Sequence, residues 1–129
     1  MKTFFFTFIF CLCFGAAFAN DQQENDTVFP QKLTAKDLMY YCSSSYLTAT
    51  GRLRKKYCAG FISGVEESVR LHDQLFNVKN GQKICLPKGK NASQYSKVYT
   101  QYASQKTTDL SKPAASVVIE AFKQAFPCP

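Results

Sequence analysis

Residues 52–76 read RLRKKYCAGFISGVEESVRLHDQLF. Leu53, Tyr57, Phe61, Ile62, Val65, Val69 and then Leu75 or Phe76 recur every three or four positions, the spacing that gathers side chains on one face of an α-helix. The pattern predicts a helix from about Arg52 to Leu75. A helix this long buries such a stripe only against other helices or a sheet, so the flanking sequence decides the fold class.

Toward the N-terminus, Leu33-Thr34-Ala35-Lys36-Asp37-Leu38 carries a helix start. Thr34 can cap, Asp37 takes the capping-box position, and Leu33 can staple onto Leu38. Leu38, Tyr41, Cys42 and Ser45 continue at helical spacing, predicting helix one over about 35–47, with Thr48-Ala49-Thr50-Gly51 as the connection. Toward the C-terminus, residues 77–90 hold Gly81, Pro87 and Gly89 among Lys79, Lys83, Lys88 and Lys90, the composition of a long, flexible loop. Asn91 can then cap a helix over about 92–104, with Gln94 three residues on and Tyr95, Val98, Tyr99 and Tyr102 as its stripe. Ser111-Lys112-Pro113 opens a fourth, lined by Ala115, Val118, Ile119, Phe122, Ala125 and Phe126 until Pro127 stops it. No useful stretch has strand period. The expected fold is all-α: a small four-helix domain of two helical hairpins.

Composition fits that size. The chain has 129 residues, 46% hydrophobic and 15% aromatic, too apolar for a disordered chain and too short for more than one ordinary domain. Met1 to Ala19 joins Lys2, an apolar run from Phe4 to Phe14 and Ala17-Phe18-Ala19, the pattern of a secretory signal peptide cleaved after Ala19. The run is shorter than the roughly 20 residues a spanning helix needs. Cys11 and Cys13 should leave with it. Residues 20–32 read as a flexible acidic leader, with Asp21, Glu24 and Asp26 against Lys32. The body, 33–129, then holds fourteen Lys and Arg against six Asp and Glu, a net +8, which the leader's −2 and Lys2 bring to +7 for the whole chain. That excess favours an acidic partner surface. The mature protein is expected to be exported and not inserted in a membrane.

Export changes the meaning of the four remaining cysteines, Cys42, Cys58, Cys85 and Cys128, an even number in an oxidising compartment. If helices one and two form an antiparallel hairpin, Cys42 and Cys58 lie at similar distances from its turn and face each other. In the second hairpin Cys85 precedes helix three and Cys128 follows helix four, at the same end. The expected staples are therefore Cys42–Cys58 and Cys85–Cys128. A zinc site would lack a C-x-x-C pair and have only His72 to help, so neither metal nor cofactor is expected. A cysteine nucleophile would likewise have only His72 as base.

The other constellations are weak in chemistry. His72 and Asp73 are adjacent and near Glu66 and Glu67, but neighbours on a helix point apart, and Glu66 with Arg70 is an ordinary i,i+4 pair. No phosphate-cradling glycine loop or serine elbow is present. Gly60 and Gly64, one turn apart, should let another helix pack closely. Arg52, Arg54, Lys55 and Lys56 form a basic cluster that fits either a solvated face or an acidic protein partner. Nucleic acid is a poor fit for an exported chain.

Taken in order, Cys58-Ala59-Gly60-Phe61-Ile62-Ser63-Gly64, then Cys85-Leu86-Pro87-Lys88-Gly89, a tyrosine-bearing helix, an Ala/Val helix and Phe126-Pro127-Cys128 resemble the Rap/Tai immunity proteins. The resemblance runs from about Thr34 to Pro129. It implies a small exported helical protein, often a homodimer, that acts in the periplasm by neutralising a peptidoglycan amidase effector delivered by type VI secretion. Such a protein needs no chemistry of its own, only a stable body and a complementary patch. The segments expected to meet the amidase are the 77–90 loop with its lysines, favoured because a flexible loop can enter a cleft, and Arg52 to Lys56. A small disulfide-stabilised periplasmic chaperone of the acid-stress type is the alternative, though one histidine and six body carboxylates make a poor acid switch.

Overall fold

The computed structural model describes residues 32–76, 78 and 83–129. The expected signal peptide (1–19), all of the acidic leader except Lys32, and Lys79 and Gly81 of the long connection lie outside the described residues. Four helices make up the regular structure there: α1 (Ala35–Ser43), α2 (Ala49–Leu75), α3 (Ala92–Ala103) and α4 (Ala114–Ala125). No strand occurs among the described residues, and every helix touches every other. Leu38 of α1, Ile62 of α2, Tyr95 and Tyr99 of α3, and Val117, Val118 and Phe122 of α4 are fully buried where the four meet. Burying an aliphatic or aromatic side chain of this size contributes about 1.5–3 kcal/mol.

Helix starts follow the capping chemistry in the sequence. The Asp37 amide donates to the Thr34 hydroxyl at 3.2 Å, and Thr34 donates its own N–H to the Asp37 carboxylate at 3.1 Å. The Thr34 hydroxyl donates to that carboxylate too, and these bonds hold Asp37 below its ordinary pKa. Asn91 and Gln94 form the same reciprocal pair at α3. Pro113 occupies the cap of α4, one position before its expected place in the first turn, and offers no side-chain bond. The first α4 amide, Ala114, donates instead to the Leu33 carbonyl at 3.0 Å. Ala35 and Lys36, opening α1, donate to the carbonyls of Lys112 and Leu110. Helices α1 and α4 thus begin side by side, each supplied by the other's entry segment.

The first hairpin turns earlier than the spacing predicts. Helix α1 stops at Ser43 rather than near Leu47, because Ser44 turns extended with ψ 151° and bonds its hydroxyl back to the Tyr40 carbonyl at 2.9 Å. Thr48, expected in the connection, caps α2, which starts at Ala49 rather than Arg52. Gly51 is consequently not a turn glycine but a buried first-turn residue. A Cβ there would run into the carbonyl oxygen of Ser45, so the turn closes this tightly only over glycine.

Residues 83–87 are tied down rather than free. Ile84 and Leu86 are buried, Ile84 bridges to Pro127, and the Cys85 amide donates to the Phe126 carbonyl at 3.0 Å. Both expected disulfides are present: Cys42–Cys58, with Cα atoms 5.2 Å apart, and Cys85–Cys128, with Cα atoms 5.0 Å apart.

Candidate protein-binding interface

Glu66 and Arg70 do more than pair along α2. Their ion pair sits half-sheltered, and Arg70 continues past it to donate to the Pro87 carbonyl at 2.9 Å and to the Tyr95 hydroxyl at 3.1 Å. Tyr95 in turn donates to the Pro87 carbonyl at 3.0 Å. The bond to Glu66 raises the already high Arg70 pKa, so the guanidinium stays charged throughout. One cation thereby fixes the 84–87 segment against α2 and α3. Nothing in the local sequence signals this, since Arg70 reaches Pro87 across 17 residues.

That anchorage decides what the first basic segment can do. Lys83, Lys88 and Lys90 are exposed, and Gly89 takes a left-handed φ of 81° that only glycine adopts without strain. Of the loop expected to be flexible, residues 83–87 form a fixed edge that carries Lys83, with Lys88 and Lys90 just beyond it.

The second basic segment lies at the opposite kind of place, the turn between α1 and α2. Arg54 stacks its guanidinium over the Tyr40 ring at 4.7 Å, Lys55 holds its ammonium over the Tyr46 ring at 4.9 Å, and Arg52 donates to the Tyr46 carbonyl at 3.1 Å. Tyr40, Tyr46, Leu47 and Leu53 are all exposed around them. The stripe of helix three predicts Tyr95, Tyr99 and Tyr102 as packing residues first. In the fold Tyr95 and Tyr99 are buried, Tyr102 is half-buried and bonded to Glu120, and the exposed tyrosines are Tyr40 and Tyr46.

Among the described residues, Gly60 and Gly64 do not serve as a helix-packing seam. A Cβ on either would meet no atom within 4 Å, because Cys58, Ile62, Val65 and Val69 face the core and the two glycines lie on the outer side of α2.

A concavity of about 490 Å³ between α2 and α4 is lined by Val65, Val69, Ile84, Ala115 and Ile119, with Ser68, His72 and Asp73 along its rim. The rim residues are not assembled for catalysis. Ser68 donates its hydroxyl to the Gly64 carbonyl at 2.7 Å, and His72 Nδ1 stands 3.9 Å from Asp73 Oδ1, beyond hydrogen-bond length. Among the described residues no group of three or more His, Cys, Asp or Glu could hold a metal ion. None of their helices is long and apolar enough to cross a membrane.

The family model of the Rap1a immunity proteins matches residues 34–128, from the α1 cap to the last disulfide cysteine. The chain belongs to the Rap1a immunity protein family. The features that define the fold, both disulfides and all four helices, fall inside the matched span. Curated proteins and solved structures give no match. Membership in the Rap1a immunity family makes this chain an immunity protein against a secreted effector, a function carried out by binding. Its two disulfides fit an oxidising compartment.

Proposed function

We propose that this Rap1a-family protein acts in the periplasm, where it binds and inhibits a peptidoglycan amidase effector of type VI secretion. The family match supports the immunity role, and the paired cysteines together with the signal-like residues 1–19 support action after export. The body carries +8, and Arg52, Arg54, Lys55 and Lys56 at the α1–α2 turn supply the complementary charge, with the Lys83, Lys88 and Lys90 edge as the rival segment. The protein itself turns over no substrate.

Added to a panel of type VI cell-wall amidases, the purified chain should block release of amide-cleaved peptidoglycan fragments by one of them at near-equal molar ratio. A cell making that amidase should survive only when the immunity chain keeps residues 1–19. Failure to inhibit any amidase of the panel, or equal protection without residues 1–19, overturns the reading. Hydrolysis by the chain alone that disappears in His72→Ala overturns the non-enzymatic part.

A further inference from the structure

Four of the large apolar side chains left exposed by folding gather at one corner, where α1 hands over to α2: Tyr40, Tyr46, Leu47 and Leu53. Leu47 is 91% exposed and Tyr46 63%, so neither stabilises the monomer by burial. Interleaved with them are Arg52, Arg54, Lys55 and Lys56, and among the described residues none of these four lies within ion-pair distance of a carboxylate. Two of the cations are held over tyrosine rings and a third on the Tyr46 backbone.

The corner is also stiff. Thr48 caps α2, Gly51 packs against the Ser45 carbonyl, and the Cys42–Cys58 disulfide crosses just behind it. Aromatic anchors and cations already fixed in place lose little freedom on binding, which is how a small patch can carry most of an interface's affinity. By contrast, Lys83, Lys88 and Lys90 have no exposed large apolar side chain beside them in the 83–90 segment.

We propose that the Tyr40–Lys56 corner is the surface that docks the effector, against an acidic patch on that protein which accepts Tyr46 and Leu47 as anchors. The inference rests on the immunity reading and adds the surface and the partner's chemistry. A second copy of this chain is disfavoured as the occupant, because a two-fold contact through the corner would bring two sets of four cations together. An anionic membrane is disfavoured because an immunity protein's partner is a protein.

The test uses the amidase that the wild-type chain inhibits. Tyr46→Ala with Leu47→Ala should weaken binding by about 10- to 100-fold. Arg54→Glu with Lys55→Glu should slow association by about 10-fold or more and flatten its dependence on salt. Lys88→Glu with Lys90→Glu should change affinity by less than about 3-fold. Unchanged thermal melting of the three variants by circular dichroism keeps folding out of the comparison, because all the replaced side chains lie at the surface. Corner variants that bind like wild type, with affinity lost in the Lys88/Lys90 pair, overturn the inference while leaving the immunity reading intact. Loss of affinity that accompanies dissociation of a dimer in sedimentation assigns the corner to a second copy and overturns it. Sedimentation of the wild-type chain with anionic vesicles, abolished by the corner variants while amidase affinity stays, also overturns it. If the wild-type chain inhibits no amidase, the immunity reading fails first and the inference with it.

Discussion

The Cys42–Cys58 bridge links positions 16 apart across a single hairpin and is buried, with Cys42 4% and Cys58 1% exposed. The Cys85–Cys128 bridge links positions 43 apart, and Cys85 lies exposed at the surface. By loop-closure entropy alone the longer loop should contribute more, about 4 kcal/mol against about 3. Burial reverses the order. Removing the short bridge also leaves a hole between α1 and α2, whereas removing the long one frees a segment that Arg70 and the buried Ile84 and Leu86 still hold. A cross-link's contribution therefore depends on what surrounds it as much as on the chain it closes.

The sharpest way to break that comparison is to remove each bridge in turn. Cys42→Ala with Cys58→Ala should cost about 4–5 kcal/mol in denaturant unfolding, and Cys85→Ala with Cys128→Ala about 3–4. Limited reduction followed by alkylation and mass analysis should label Cys85 and Cys128 first. A larger loss in the Cys85/Cys128 variant would show that chain entropy outweighs burial here.

Arg70→Ala tests whether the second end really has a back-up. It strands the Glu66 carboxylate and leaves the Pro87 carbonyl to the Tyr95 hydroxyl alone, and because Arg70 is partly exposed the cost should be about 2–3 kcal/mol rather than the 3–5 of a fully buried pair. Hydrogen exchange should quicken at residues 84–87 and not at the α1–α2 turn. Equal loosening at both ends would mean the network does not serve that segment.

Glycine substitutions sharpen the contrast at the first end. Gly51→Ala should destabilise by about 1–2 kcal/mol, since overpacking against the Ser45 carbonyl outweighs the better helix propensity of alanine. Gly60→Ala and Gly64→Ala meet nothing within 4 Å and should stabilise by about 0.5–1 kcal/mol, read as a higher melting temperature.

A comparably small effect sits between the two ends. Tyr99→Phe removes a buried hydroxyl that donates to the Ala35 carbonyl at 2.6 Å, and should cost about 1 kcal/mol at neutral pH. Burial raises the Tyr99 pKa well above its ordinary 10.0, so the folded state favours the protonated phenol. That contribution is fully present below pH 10 and is lost as the pH rises beyond it, because the unfolded chain releases the proton first. Wild type should lose stability above that pH more steeply than Tyr99→Phe does, measured by denaturant unfolding across the alkaline range.

Much of this fold is legible in the residues because it is written in local chemistry. Thr34 with Asp37 and Asn91 with Gln94 announce helix starts through bonds spanning three residues, and the 3.6-residue stripe of α2 needs no partner to be recognised. The cysteine pairing follows from hairpin connectivity, which chain order already implies. Where α1 ends was not legible, because three consecutive serines can continue a helix or bond back to it, and Ser44 does the second.

For the surface, the sequence by itself determined composition: how many cations there are, that they cluster at 52–56 and 79–90, and that tyrosines and leucines stand near the first cluster. Only the tertiary structure decided which of these face outward. The spacing rule assigns a residue to a helix face, but exposure depends on which faces the other helices cover. Helices α1, α3 and α4 cover the Ile62 side of α2 and leave Gly60 and Gly64 bare, and the early turn after Ser43 puts Tyr46 and Leu47 in solvent rather than on a helix. Arg70 likewise found Pro87 only because packing brought residues 17 apart into contact, a distance over which no periodicity of sequence carries information.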